Sequence, residues 1–128
     1  MRVLLDTHSF LWWIMDDTRL SLQARSILRD GRNTLVVSAA TGWEIAIKAG
    51  LGKIMLPGDP PQFVLQQIRH NHLSPLAIEL AHALHVFTLP DIHRDPFDRI
   101  LVAQSQVEQL PIVTADPEIR RYEVDVIW

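Results

Sequence analysis

Four carboxylates hold the chemistry that this sequence is able to do. Asp6 closes the apolar run Val3-Leu4-Leu5, Glu44 lies on the segment after the apolar run Leu35-Val36-Val37, and Asp116 stands two residues past Ile112-Val113-Thr114. Asp98 belongs to the stretch Asp95-Pro96-Phe97-Asp98-Arg99-Ile100-Leu101. There Asp95 suits a helix N-cap and Pro96 suits the first helical position, where no N–H is needed. Brought to one place, these oxygens form a hard donor set of the kind that selects Mg²⁺ or Mn²⁺, and with no cysteine in the chain no thiolate favours zinc. Each acid also has an ordinary structural use. Asp6 and Asp116 can cap the helices that follow them, Asp95 and Asp98 can form a variant capping box, and Glu44 and Lys48 have the i,i+4 spacing of a surface ion pair worth about 0.3–0.5 kcal/mol. Asp95 is read as a cap. For the others the residue pattern by itself leaves both readings open.

The elements that must position these acids alternate between strand and helix. Val3-Leu4-Leu5 and Leu35-Val36-Val37-Ser38 are short continuous apolar runs, as expected of strands buried on both faces of a parallel sheet. Between them, helices are expected from Thr7 to Met15 and from Ser21 to Leu28, stopping near Gly31. Ser38 can cap a helix to about Ala49, with Gly50 and Gly52 supplying left-handed positions at its end. The turn Pro57-Gly58-Asp59-Pro60-Pro61 leads into a helix carrying Phe63, Val64 and Ile68, and Leu73 to Leu76 is a short strand whose Pro75 suits only an edge. A helix from about Ala77 to Val86, the helix opened by Asp95, the strand Ile112 to Thr114, a short helix begun by Asp116-Pro117 and a last strand Val124 to Ile127 complete the chain. Such alternation predicts an α/β fold: a parallel sheet with helices on both faces and right-handed crossovers. Ligands in such sheets bind beyond the carboxyl ends of the strands, which is where Asp6, Glu44 and Asp116 are delivered.

At 128 residues the chain is expected to form one domain over residues 1–128. Its 48% hydrophobic and 21% charged residues are a globular composition, and no apolar run approaches the length that spans a bilayer. The absence of cysteine, and a start that lacks a secretory leader pattern, make the cytoplasm the expected location. A net charge of −3 is not the footprint of a protein that holds nucleic acid by a broad basic face. Local fields are another matter. Apart from Lys48 and Lys53 the 12 cationic residues are arginine, the better phosphate fork.

The chain resembles the PIN-domain ribonucleases, and within them the VapC-type toxins of bacterial toxin–antitoxin pairs. The resemblance rests on Leu4-Leu5-Asp6-Thr7-His8, on Trp43-Glu44-Ile45-Ala46-Ile47-Lys48 with Leu51-Gly52-Lys53-Ile54-Met55-Leu56-Pro57, on His93-Arg94-Asp95-Pro96-Phe97-Asp98-Arg99-Ile100-Leu101-Val102-Ala103-Gln104, and on Val113-Thr114-Ala115-Asp116. These segments cover nearly the whole chain in order. The resemblance implies a three-layer fold with strand order 3-2-1-4-5, a Mg²⁺ or Mn²⁺ site, and hydrolysis of RNA by metal-activated water. It assigns Asp6, Glu44, Asp98 and Asp116 to the acidic site, with Thr7 and Thr114 orienting the ligands and their waters. It also implies a cognate antitoxin and a homodimer, and the apolar stretch Phe10 to Met15 is the expected partner surface.

The chemistry follows from the residue types. Phosphodiester hydrolysis needs an in-line water and relief of negative charge on the phosphoryl group, and divalent metals supply both. Asp6, on the end of a central strand, is the expected direct or bridging ligand. Asp98 and Asp116 are expected to bind directly or through water, and Glu44, with the longest reach, to orient or deprotonate the attacking water. Lys48, Lys53, Arg94 and Arg99 are candidates for RNA phosphates, although a solvated charge is the commoner fate of each. The histidines do not form a zinc pattern: His82 and His85 are expected to be solvated, and His93 to pack in the loop that positions Asp98. Trp12 and Trp13 cannot both face the core of one helix, so one is expected at a partner surface. Rival classes fit less well. An aspartyl phosphatase wants an acid at position 8, where His8 stands, and a receiver domain wants an acidic pair that is missing. The remaining alternative is a catalytically silent PIN-fold binding module.

Overall fold

The computed structural model describes residues 1–128, and its backbone is organised by five parallel strands. They are β1 (Arg2–Leu5), β2 (Thr34–Ser38), β3 (Ser74–Leu76), β4 (Ile112–Val113) and β5 (Val126–Ile127), in the spatial order β3-β2-β1-β4-β5. This is the expected order. Register follows from β1, whose Leu4 faces Val36 of β2 on one side and Ile112 of β4 on the other. β3, with Pro75, takes an edge, where its missing N–H breaks no ladder on the outer side.

Side chains alternate across a strand, and that alternation divides the core. Val3, Leu5, Leu35, Val37 and Val113 point to one face and pack with Phe10, Ala24, Leu28, Ile45 and Val64. Leu4, Val36 and Ile112 point to the other and pack with Ala40, Leu101, Val102, Ala103, Ile119 and Tyr122. Each large side chain so buried contributes roughly 1.5–3 kcal/mol. The helices that supply these contacts are α1 (Thr7–Ile14), α2 (Leu22–Arg29), α3 (Ala39–Gly50), α4 (Pro60–His70), α5 (Leu80–His85) and α6 (Pro96–Glu108).

Caps decide where most helices begin. Asp6, Ser21, Asp59 and Asp95 each accept a backbone N–H from the first turn, Asp95 from both Phe97 at 2.9 Å and Asp98 at 3.1 Å. At the other end of α6, Gln109 turns left-handed at φ 54°, and Ser105 Oγ donates to the Leu110 carbonyl.

Several expectations need correction. Gly50 stays helical and Gly52 alone takes the left-handed turn, at φ +73°. The helix expected from Ala77 starts at Leu80, because the Glu79 N–H is held by His82 Nδ1 at 2.9 Å and the Ala77 carbonyl accepts from Gln104 Nε2. His82 is therefore not solvated; it is 1% exposed, with Nε2 2.8 Å from Glu108. Asp116-Pro117 leads into a 3₁₀ turn at Ile119–Arg121 and not a helix, and the last strand keeps only Val126 and Ile127. Neither Trp12 nor Trp13 projects from α1, since both lie half-buried against the core. The tryptophan that does project is Trp43, 57% exposed and edge-on to Phe97 at 5.1 Å.

Candidate active site

The candidate site lies past the carboxyl ends of β1 and β4, where the chain, having built the sheet to one side of β1, crosses to the other. Asp6 is the first residue past β1. It is 4% exposed, its Oδ1 accepts the Ser9 N–H at 2.8 Å, and its Oδ2 accepts the Thr114 hydroxyl at 2.5 Å. Thr114 Oγ1 in turn accepts the Asp116 N–H at 3.0 Å, so one buried hydroxyl ties the acid after β1 to the acid after β4. Ser9 Oγ donates to the Val113 carbonyl at 2.9 Å and closes the junction of the two strands. Asp6 is thus a helix cap as well as a member of the candidate site. Burial raises its pKa above the ordinary value, with the Thr114 and Ser9 bonds opposing.

Glu44 enters from α3, two turns after β2. Its Oε1 accepts the Thr7 hydroxyl at 2.6 Å, and its Oε2 is paired with the Lys48 ammonium. Because Thr7 gives its proton to Glu44, the Thr41 hydroxyl 3.3 Å away donates to Thr7. The i,i+4 pair is therefore not a surface pair: the Glu44 side chain is 6% exposed. The bond to Glu44 raises the Lys48 pKa, and the charges of Asp95 and Asp98 add to the effect.

Asp98 faces this region from the first turn of α6. Its carboxyl is pushed up to about 7, first by burial and then by the charges of Asp95 and Asp116, against the opposing bond from His93. His93 Nε2 lies 3.1 Å from Asp98 Oδ2, and its Nδ1 is 2.7 Å from the Tyr122 hydroxyl. Asp116 Oδ1 accepts the Glu118 N–H, an ordinary turn cap.

The hydrogen bonds form two groups that meet at the Asp6–Thr7 peptide, one running from Asp116 through Thr114 to Asp6 and the other from Thr7 through Glu44 to Lys48. They do not form a finished ligand cage. No three histidine, aspartate or glutamate groups close round a single point; both oxygens of Glu44 are engaged by Thr7 and Lys48, and one oxygen of Asp98, Oδ2, is engaged by His93. Among the candidate phosphate binders, Arg99 donates to the Pro90 carbonyl and the Tyr122 hydroxyl, and Lys48 pairs with Glu44. Arg94 and Lys53 are exposed. Sequence reasoning missed the hydroxyls of Ser9 and Thr41 and the phenol of Tyr122. Thr41 was legible, three residues before Glu44 on the same helix face. Tyr122 gave no signal, being 29 residues from the histidine it touches.

The model of the PIN domain matches residues 3–125. The chain belongs to the PIN domain family. It is 31% identical over 121 residues to Ribonuclease VapC22 of Mycobacterium tuberculosis, a match that covers 94% of this chain and 91% of that protein. A shorter match to Ribonuclease VapC16 of the same organism is 40% identical over 63 residues, covering 49% of this chain and 45% of the relative. Among solved structures, the DNA-bound VapBC of Salmonella typhimurium superposes with a TM-score of 0.69 at 16% identity, covering 98% of this chain and 96% of that one. VapBC2 of Rickettsia felis, bound to a DNA fragment from its promoter, gives 0.68 at 13% identity over 98% and 97%. At these identities the structural likeness speaks for the PIN fold alone.

Proposed function

We propose that this PIN domain is a metal-dependent endoribonuclease, the toxin of a toxin–antitoxin pair, hydrolysing RNA phosphodiester bonds with a metal-activated water. The observation that carries the proposal is the hydroxyl-linked acidic set past β1 and β4, in a chain whose relatives are named ribonucleases. The donor chemistry fits Mg²⁺ or Mn²⁺. Its oxygens are hard, and the carboxyls of Asp6 and Asp98 are raised by burial, a cost of desolvated negative charge that a cation offsets. Asp6, Asp98 and Asp116 would hold the ion, with Glu44 as an added ligand. Once bound, the ion supplies charge neutralisation at the phosphoryl group and a lowered pKa for a water.

The chain's own residues do the rest. Thr114 holds the Asp6 carboxylate in one orientation and fixes the backbone of Asp116 beside it. Thr7 and Lys48 each grip one oxygen of Glu44; freed from that pairing, the carboxylate would orient or deprotonate the attacking water. Arg94 and Lys53 are exposed and suit RNA phosphates better than Arg99, whose guanidinium fastens the loop before α6. The structural neighbours, themselves toxin–antitoxin complexes on DNA, support a protein antitoxin as partner, and a homodimer is proposed alongside it. The chain is read as one domain over residues 1–128, acting in the cytoplasm. No helix is long and apolar enough to cross a membrane. A silent binding module is the less favoured reading, because all four acids are present.

The test is incubation of the purified chain with single-stranded RNA and Mn²⁺, against an EDTA control. Endonucleolytic products confined to the Mn²⁺ arm are expected. Intact RNA in both arms would contradict the proposal.

A further inference from the structure

His93 stands between an acid of the site and a phenol behind it. Its Nε2 is 3.1 Å from Asp98 Oδ2, and its Nδ1 is 2.7 Å from Tyr122 Oη. A third group settles which way the protons point. Arg99 Nη1 lies 3.0 Å from the same phenolic oxygen, and a guanidinium has donors and no acceptor. Tyr122 Oη therefore accepts from Arg99, and its own proton has one acceptor in reach, His93 Nδ1. A neutral imidazole whose Nδ1 accepts carries its proton on Nε2, and that nitrogen faces Asp98.

Packing fixes this chain of bonds. Tyr122 is 4% exposed and the His93 side chain 15%, with their ring centroids 5.5 Å apart. Arg99 is held from a second side by the Pro90 carbonyl at 2.8 Å, so the donor to the phenol is itself located. With Nδ1 unsatisfied, the ring is free to carry its proton there and to present a bare Nε2 lone pair to the carboxylate. Lone pair against lone pair turns the acid away.

We infer that Tyr122 and Arg99 fix His93 as its Nε2–H tautomer, and that this donor aims the Asp98 carboxylate into the site. His93 is then a positioning residue and Tyr122 the group that sets it. A carboxylate tied at Oδ2 presents Oδ1 in a fixed direction, the preorganisation that groups behind a ligand commonly supply and whose loss typically weakens metal affinity tenfold to hundredfold. The positioning role rests on the function proposed above; the tautomer does not.

The experiment separates the two. Long-range ¹⁵N–¹H spectra of the full chain, metal-free and above neutral pH, report the ring nitrogens of His93. The expected result is a protonated Nε2 and a bare Nδ1, giving way to a mixture of tautomers in Tyr122→Phe. Titration with Mn²⁺ alone supplies the second readout. Tyr122→Phe and His93→Ala are expected to weaken binding about tenfold to hundredfold, and His93→Gln, whose amide N–H reaches toward the place of Nε2–H, to recover most of it. An Nδ1–H tautomer in the parent chain overturns the inference. So does a lowered melting temperature in Tyr122→Phe and His93→Ala with unchanged Mn²⁺ affinity, since the chain of bonds would then be structural only. A parent chain that binds no Mn²⁺ contradicts the proposed function and removes the positioning role, while the ring-nitrogen shifts still decide whether Tyr122 sets the tautomer.

Discussion

Asp98 is the acid whose removal should be felt most clearly in the metal-free protein. Its pKa stands near 7 in the folded chain, against about 3.9 for an unperturbed aspartate in the unfolded one. Between those values the folded state binds more protons than the unfolded state, so stability falls as pH rises through the window and levels off above pH 7. A shift of this size in a fully buried group would amount to about 4 kcal/mol; screening at a carboxyl still partly open to water brings it to about 2 kcal/mol. Unfolding entropy near 2.1 cal/mol/K per residue over 128 residues makes that about 7 °C in melting temperature. Asp6, raised in the same direction, adds to the decline. Asp17 and Asp30, lowered to about 2 by their arginine partners, act only below pH 4, where their stabilisation is lost as pH falls. Asp98→Asn keeps the shape and removes the titration. Melting curves of the metal-free parent and variant should coincide near pH 4 and separate as pH rises, with the variant the more stable by pH 8. Parallel curves across the range would refute the reasoning, because Asp98 would then ionise in the folded chain as easily as in water.

The neighbouring acid should behave differently. Asp95→Ala removes the cap on two N–H groups of α6 and should lose about 1 kcal/mol, or about 4 °C of melting temperature, while Mn²⁺-dependent cleavage stays near the parental rate. Thr114→Val strips a donor from the buried Asp6 carboxylate and an acceptor from the Asp116 N–H. A loss of about 1–3 kcal/mol with a large fall in cleavage is expected by melting and by RNA assay, and a parental cleavage rate would count against the junction. A dimer is expected by sedimentation at micromolar concentration, and a monomer would remove that part of the proposal.

Much of this architecture is legible in local sequence because local physics decides it. The run Val3-Leu4-Leu5 is apolar throughout because Val3 and Leu5 enter one core and Leu4 the other. Asp95-Pro96 starts α6 where capping chemistry requires it. Expectations failed where a distant residue intervened. Gln104 holds the Ala77 carbonyl from 27 positions away and contributes, with the His82 cap, to the late start of α5, and Glu108 gives the buried His82 ring a partner. The four acids and the two threonines of the candidate site are picked out by position and family resemblance. Their partners were harder to see: Lys48 is visible as an i,i+4 neighbour of Glu44, but the burial of the carboxylate it pairs with is not, and the link from Tyr122 to His93 leaves no periodic trace.

The central claim is that the acids past β1 and β4 cut RNA with a divalent ion. Its most direct test is single-turnover cleavage of a single-stranded RNA in Mn²⁺ by the parent chain and by Asp98→Asn, at a temperature where both are folded. The account predicts cutting by the parent and a fall of orders of magnitude in the variant, since charge neutralisation at the phosphoryl group depends on the full donor set. Cutting by Asp98→Asn at the parental rate would contradict it.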